Sequence, residues 1–162
     1  MKIESLEIAL ITLNDVMKRM PNETEIEGLT GDVGNNFRQL SDAISDIEDG
    51  LKKMKTALIA EFLGCQKSDY VDTIYVMNYM EDKPHYIPSL MKYDESWDWF
   101  MPVYRKIRDI INDRSKYDKN TITTLDLLEL DVQISVSEVN LKKAFDYAFK
   151  FVAYWNACQS DR

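Results

Sequence analysis

The chain has 162 residues, 45% of them hydrophobic and 30% charged, with a formal net charge of −8. That size and composition suit one globular domain, or a domain with a helical appendage, and five Gly with four Pro speak against disorder. The acid excess repels phosphate backbones and so disfavours nucleic acid as a partner, and no apolar run approaches the roughly 20 residues of a membrane span.

The start, Met1-Lys2-Ile3-Glu4, places an acid early and shows no small-residue cleavage pattern, so no signal peptide is expected. Ile3, Leu6, Leu10, Leu13, Met17 and Met20 recur at alternating spacings of three and four, which predicts a helix with a narrow, coiled-coil-like stripe. Ile8, Ile11 and Val16 widen that stripe, and Pro21 with Asn22 ends it. Residues 22–35 are polar, hold Gly28, Gly31 and Gly34, and read as a connecting loop.

The stripe resumes at Phe37, Leu40, Ile44, Ile47, Leu51, Met54 and Leu58. Asn35 or Asn36 is the expected N-cap, Gly50 a place for a kink, and Leu63-Gly64 the expected stop, with Gly64 in the left-handed C′ position. Two such helices predict an antiparallel hairpin. It serves either as an oligomerisation or partner-docking arm, with a homodimer through residues 3–58, or as a cover for the rest of the chain; both readings stay open.

Residues 1–63 contain only two aromatics, Phe37 and Phe62, and the other sixteen lie between Tyr70 and Trp155. The expected division is therefore a helical hairpin over 1–63 and an aromatic-rich α+β unit over 64–162. Residues 70–79 are β-branched and aromatic and predict a strand, 81–84 carry turn chemistry, and His85-Tyr86-Ile87 returns as a short strand stopped by Pro88. A helix follows over about 96–112, with Ser96 as N-cap, Trp97, Phe100, Tyr104, Ile107 and Ile111 on one face, and Pro102 inside. Residues 128–136, LELDVQISV, alternate apolar and polar and predict a strand with one buried face, led in by Thr121–Thr124. The last helix is expected from about Ser137 to Gln159, burying Leu141, Ala144, Phe145, Ala148, Phe149, Val152 and Trp155. The fold class is α+β: an N-terminal hairpin joined to a small antiparallel sheet packed with two aromatic-rich helices.

No catalytic motif stands out. One histidine, His85, allows no Ser-His-Asp reading, no glycine-rich phosphate loop is present, and Cys65, Cys158 and His85 lack metal-ligand spacing. No cofactor, no metal and no enzymatic activity are expected. Two cysteines suit free thiols in a reducing cytoplasm. Asp126, Glu129 and Asp131 read as solvated acids rather than a hard-metal cluster. The candidate interaction surface is Asp94, Glu95, Trp97, Asp98 and Trp99, acids beside an aromatic wall; the same residues also serve as helix caps and core. A small-molecule binder or enzyme, taking a nucleotide or sugar in an aromatic pocket near Trp97, Trp99 and Trp155, is the alternative.

Residues 93–107, YDESWDWFMPVYRKI, carry the string Ser-Trp-Asp-Trp followed by Met-Pro-Val. With Leu58–Gly64 (LIAEFLG) before it and Phe149–Asn156 (FKFVAYWN) after it, this resembles the phage ABA-sandwich domain family over roughly residues 57–157. The resemblance implies a sheet packed between or against helices, in a phage or mobile-element protein of the bacterial cytoplasm. It brings no assigned activity and no functional residue, and Asp94 stands where that family often has His. The expected role is non-enzymatic binding of a protein partner, with a phage structural or assembly component as the weaker alternative.

Overall fold

The computed structural model describes residues 3–19, 32–67, 75–76, 85–113 and 117–160. The chain divides into two compact units, Met1–Met54 and Lys55–Arg162. The division falls inside one helix.

The first unit holds α1 (Ile3–Lys18) and most of α2 (Asp32–Phe62). On α1 the narrow stripe of Leu6, Leu10, Leu13 and Met17 is half-buried, whereas Ile8, Ile11 and Val16 are exposed. The additional apolar positions thus do not widen the covered face. On α2, Ile44 and Leu51 are buried and Phe37, Leu40 and Ile47 half-buried, but Met54, on the same heptad stripe, is exposed. One expectation changes here. Residues 32–35 are helical rather than loop, so Asn35 and Asn36 lie inside α2 and do not cap it. Gly50 lies within the continuous span of α2. Met20, Pro21 and most of the expected loop lie outside the described residues.

The second unit begins on the last two turns of α2, where Ile59, Ala60 and Phe62 are buried. Gly64 ends that helix at φ +85: its N–H donates to the Glu61 carbonyl at 2.9 Å, and the Cys65 N–H reaches back to the Ala60 carbonyl at 3.0 Å. These two bonds are a Schellman motif, which satisfies carbonyls the helix end would otherwise orphan.

A three-stranded antiparallel sheet follows, in the order β1 (Gln66–Lys67), β2 (Tyr75–Val76), β3 (His85–Tyr86). Lys67 pairs with Tyr75, and Tyr75 with Tyr86. The remainder of the strand expected over 70–79, and the turn at 81–84, lie outside the described residues. Pro88–Leu90 forms a 3-10 turn.

Helix α3 (Trp97–Asn112) runs through Pro102, which leaves the Asp98 carbonyl without its i+4 donor. Ser96 occupies the N-cap position with extended backbone, yet its side chain makes no capping bond. Phe100, Val103, Ile107 and Ile111 form the buried face.

The segment expected as a strand is a helix. Residues 128–136, with the supposed lead-in at 121–124, lie within α4 (Lys119–Ser137). Asp118 caps it, accepting from the Asn120 and Thr121 N–H groups and from the Thr121 hydroxyl, and these bonds hold its carboxyl below the usual carboxylate range. Thr123 and Thr124 donate to the carbonyls of Lys119 and Asn120, one turn back. Buried Ser135 does the same to Asp131 at 2.9 Å, so its hydroxyl is satisfied inside the core. The alternation is real, but Leu125, Val132 and Ser135 recur at helical spacing on one buried face.

Ser137 closes α4 instead of opening the last helix. The Val139 N–H donates to the Val136 carbonyl and the Asn140 N–H to the Ser135 carbonyl, a second Schellman motif with Val139 at φ 55. Asn140 then caps α5 (Leu141–Ser160), its side chain accepting from the Lys143 N–H at 3.1 Å. This three-residue turn folds α5 back along α4, and α3 packs on both. Ala144, Phe145, Ala148, Phe149, Phe151 and Val152 fill the core between them. The coarse α+β class holds, with a far larger helical share than the sequence suggests.

Candidate functional site

Asp94, Glu95, Trp97, Asp98 and Trp99 gather at the start of α3, but they do not form an open aromatic wall. Glu95 and Asp98 are exposed. The Trp97 ring meets Phe100 edge-on at 5.8 Å. The Trp99 ring lies edge-on to Tyr86 at 5.0 Å and to buried Tyr93 at 5.5 Å. Both indoles are half-buried and committed to packing, which fastens the sheet edge to α3.

Trp155 stands elsewhere. Its Nε1–H donates to the Tyr117 hydroxyl at 2.8 Å, and its ring meets Phe62 edge-on at 5.4 Å. The Gln159 side-chain amide donates to the same hydroxyl at 3.3 Å. Beside this fixed indole opens a cleft of about 650 Å³ lined by Leu63, Pro102, Arg105, Lys106, Asp109, Ile110, Asp113, Tyr117 and Trp155. Of the three tryptophans expected to share a pocket, the cleft takes only this one.

Two cations and two acids border that cleft. The Lys106 ammonium sits 5.1 Å from the centre of the Phe62 ring, and burial lowers its pKa, with nearby Cys65 opposing. Arg105 is exposed and makes no hydrogen bond or ion pair with the described residues. Together with Arg108, whose guanidinium lies 6.0 Å from the Tyr104 ring, these residues concentrate three positive charges within one turn of an acidic chain.

A polar cluster joins the end of α2 to the sheet. The Tyr75 hydroxyl donates to Glu61 at 3.0 Å, and Lys67 pairs with the same carboxylate at 3.3 Å. Burial, then the Glu61 bond and charge, push the tyrosine pKa up to about 12. Cys65 and Cys158 are not joined in a disulfide. Among the described residues no group of three or more His, Cys, Asp or Glu could hold a metal, and no helix is long and apolar enough to cross a membrane.

The outer side of α4 carries a surface that sequence reasoning missed. Leu127, Leu130 and Ile134, at 60%, 46% and 44% exposure, follow i, i+3, i+7 spacing. They form one ridge opposite the buried Leu125–Val132–Ser135 face. The strand reading hid the ridge, because alternation places Leu130, Val132 and Ile134 on one side, whereas a helix sends Val132 inward and its two neighbours out.

No family model matches this chain, and neither the curated proteins nor the solved structures contain a significant match.

Proposed function

We propose that this chain is a non-enzymatic binding protein of a phage or mobile element, acting in the bacterial cytoplasm by docking a basic amphipathic helix of a protein partner on α4. The observation that carries this reading is the Leu127–Leu130–Ile134 ridge. Three large aliphatic side chains left open at helical spacing are the form in which a helix receives another helix. Charge selects the partner. Helix α4 carries Lys119 against Asp126, Glu129 and Asp131, on a chain with net charge −8, so lysines or arginines flanking the partner's apolar stripe are attracted. Covering each half-exposed aliphatic contributes about 1 kcal/mol, so the ridge alone supports modest affinity and charge supplies association rate and selectivity. The pairing of the α1 and α2 stripes as an antiparallel hairpin belongs to the same proposal.

The test uses the full chain and a labelled synthetic Leu/Lys amphipathic helix, followed by fluorescence anisotropy. Saturable binding is expected, weakened about tenfold by Leu130→Asp and weakened further by added salt. A Leu/Glu helix of the same pattern should not bind. Failure of the Leu/Lys helix to bind, or indifference to Leu130→Asp, overturns the reading. A dimer in sedimentation equilibrium that Leu130→Asp dissolves assigns the ridge to a second copy of the chain and also overturns it.

A further inference from the structure

We infer that the cleft beside Trp155 binds a nucleoside monophosphate: a planar heteroaromatic ring bearing both hydrogen-bond donors and a compact anionic group. The cleft is separate from the α4 ridge, so this inference does not depend on the docking proposal.

The floor comes first. Leu63, Pro102 and Ile110 supply aliphatic wall, and Trp155 supplies a flat ring whose orientation is set before any ligand arrives. The Tyr117 hydroxyl holds the indole N–H, and Phe62 holds the ring edge. A pre-fixed aromatic surface loses little rotamer freedom on stacking, which favours a planar ring over a flexible chain. A volume of about 650 Å³ lies within the range of small-molecule sites.

The rim gives the polarity. Arg105 and Lys106 stand on adjacent residues of α3 at the edge of the cleft. Arg105 has no anionic partner among the described residues, and Lys106 is held against an aromatic ring in partial desolvation. Both are improved by an incoming anion, Arg105 by a forked contact to two oxygens and Lys106 by recovery of a counter-charge. Asp109, one turn further along α3, accepts hydrogen bonds and repels a second anionic group, and Asp113, the C-cap just past the helix, also borders the cleft. Two adjacent cations with a carboxylate one turn away therefore fit a ligand carrying one anionic group together with N–H or O–H donors. A polyphosphate would meet the carboxylate.

The net charge of −8 opposes anions at long range, but at physiological salt that field decays within about 8 Å, so the nearby guanidinium and ammonium decide.

The test is a ¹H–¹⁵N titration of the full chain with the four common nucleoside monophosphates, with adenosine and inorganic phosphate as partial ligands. At least one monophosphate should shift the Trp155 indole N–H and the α3 amides around Arg105–Asp109 saturably. The nucleoside and phosphate alone should bind at least about tenfold more weakly. Arg105→Glu, an exposed substitution that leaves the core intact, should weaken binding by about tenfold or more, while Leu130→Asp should not change it. No saturable shift by any monophosphate up to about 1 mM overturns the inference. So does binding of adenosine as tight as that of its monophosphate, or an Arg105→Glu protein that binds like the original.

Discussion

Two helices in the second unit end in the same hydrogen-bonded motif with different residues at its left-handed position, and this sets up a paired experiment of opposite signs. At α2 the position holds Gly64, φ +85; at the end of α4 it holds Val139, φ 55. A left-handed L-residue costs about 1–2 kcal/mol, and a β-branched one lies toward the upper end. Glycine avoids that cost but loses about 0.5–1 kcal/mol of additional chain entropy on folding. A Cβ built on Gly64 meets no atom within 4 Å, so Gly64→Ala is a conformational change with no steric clash. It should destabilise by about 1 kcal/mol. Val139 is 73% exposed, so Val139→Gly gives up little burial and should stabilise by about 1 kcal/mol. In thermal unfolding this corresponds to about 2–4 °C in each direction for a chain of this length. Val139→Ala, which removes the branch but keeps the left-handed penalty, should fall between Val and Gly. If Val139→Gly lowers the melting temperature, or if both substitutions move it the same way, the strain assigned to Val139 is wrong.

Three further expectations follow from burial and titration. Thr56 is fully buried and its Oγ1 has no hydrogen-bond partner among the described residues, so Thr56→Val, equal in shape, should raise stability by about 1 kcal/mol in urea unfolding. Val132→Asp should cost more than about 3 kcal/mol while Ile134→Asp stays within about 1 kcal/mol; equal penalties would restore the strand with both residues on one buried face. The Tyr75 hydroxyl is raised to about 12 in the folded protein against about 10 when unfolded, so the folded state holds its proton longer. Its contribution is fully present below pH about 10 and is lost as pH rises through about 12. Chemical denaturation at alkaline pH should show that fall, and Tyr75→Phe should flatten it.

The ends and faces of several helices were legible in residue chemistry. Leu63-Gly64 marked a stop because glycine alone takes the left-handed backbone freely, and the structure places Gly64 there. The stripes of α3 and α5 were largely legible from their helical period: Phe100, Ile107, Ile111, Ala144, Phe145, Ala148, Phe149 and Val152 are buried, while Trp97, Tyr104, Leu141 and Trp155, expected on the same faces, are only half-buried. Helix α4 was misread because it is apolar on two sides. Val132 faces the core while Leu130 and Ile134 face outward, and together they counterfeit the two-residue period of a strand. The signal that could have decided was Asp118 with Thr121 three residues on, an N-terminal cap. Asn140 was available in the same way as the cap of α5. The cleft was only half legible. Trp155 could be named from its aromaticity, but its neighbours Leu63, Lys106 and Tyr117 arrive from three separate segments, and no local pattern joins them. The run Arg105-Lys106-x-Arg108 carries a local reversal of charge, but Lys52-Lys53-x-Lys55 has the same pattern, so the sequence does not single it out.

The aromatic station of Phe62, Tyr117 and Trp155 also bears on the order of assembly. The helical pair α4 and α5 needs only the short turn at Glu138–Asn140 to close, whereas joining the Phe62 ring to Trp155 closes a span of more than ninety residues. Loop-closure entropy rises with span, so the local pair is favoured early and the long closure late. Restoration of the Trp155 near-ultraviolet signal in refolding should therefore lag the gain of helical signal, and the cleft would come into being only as the last step of the chain's consolidation.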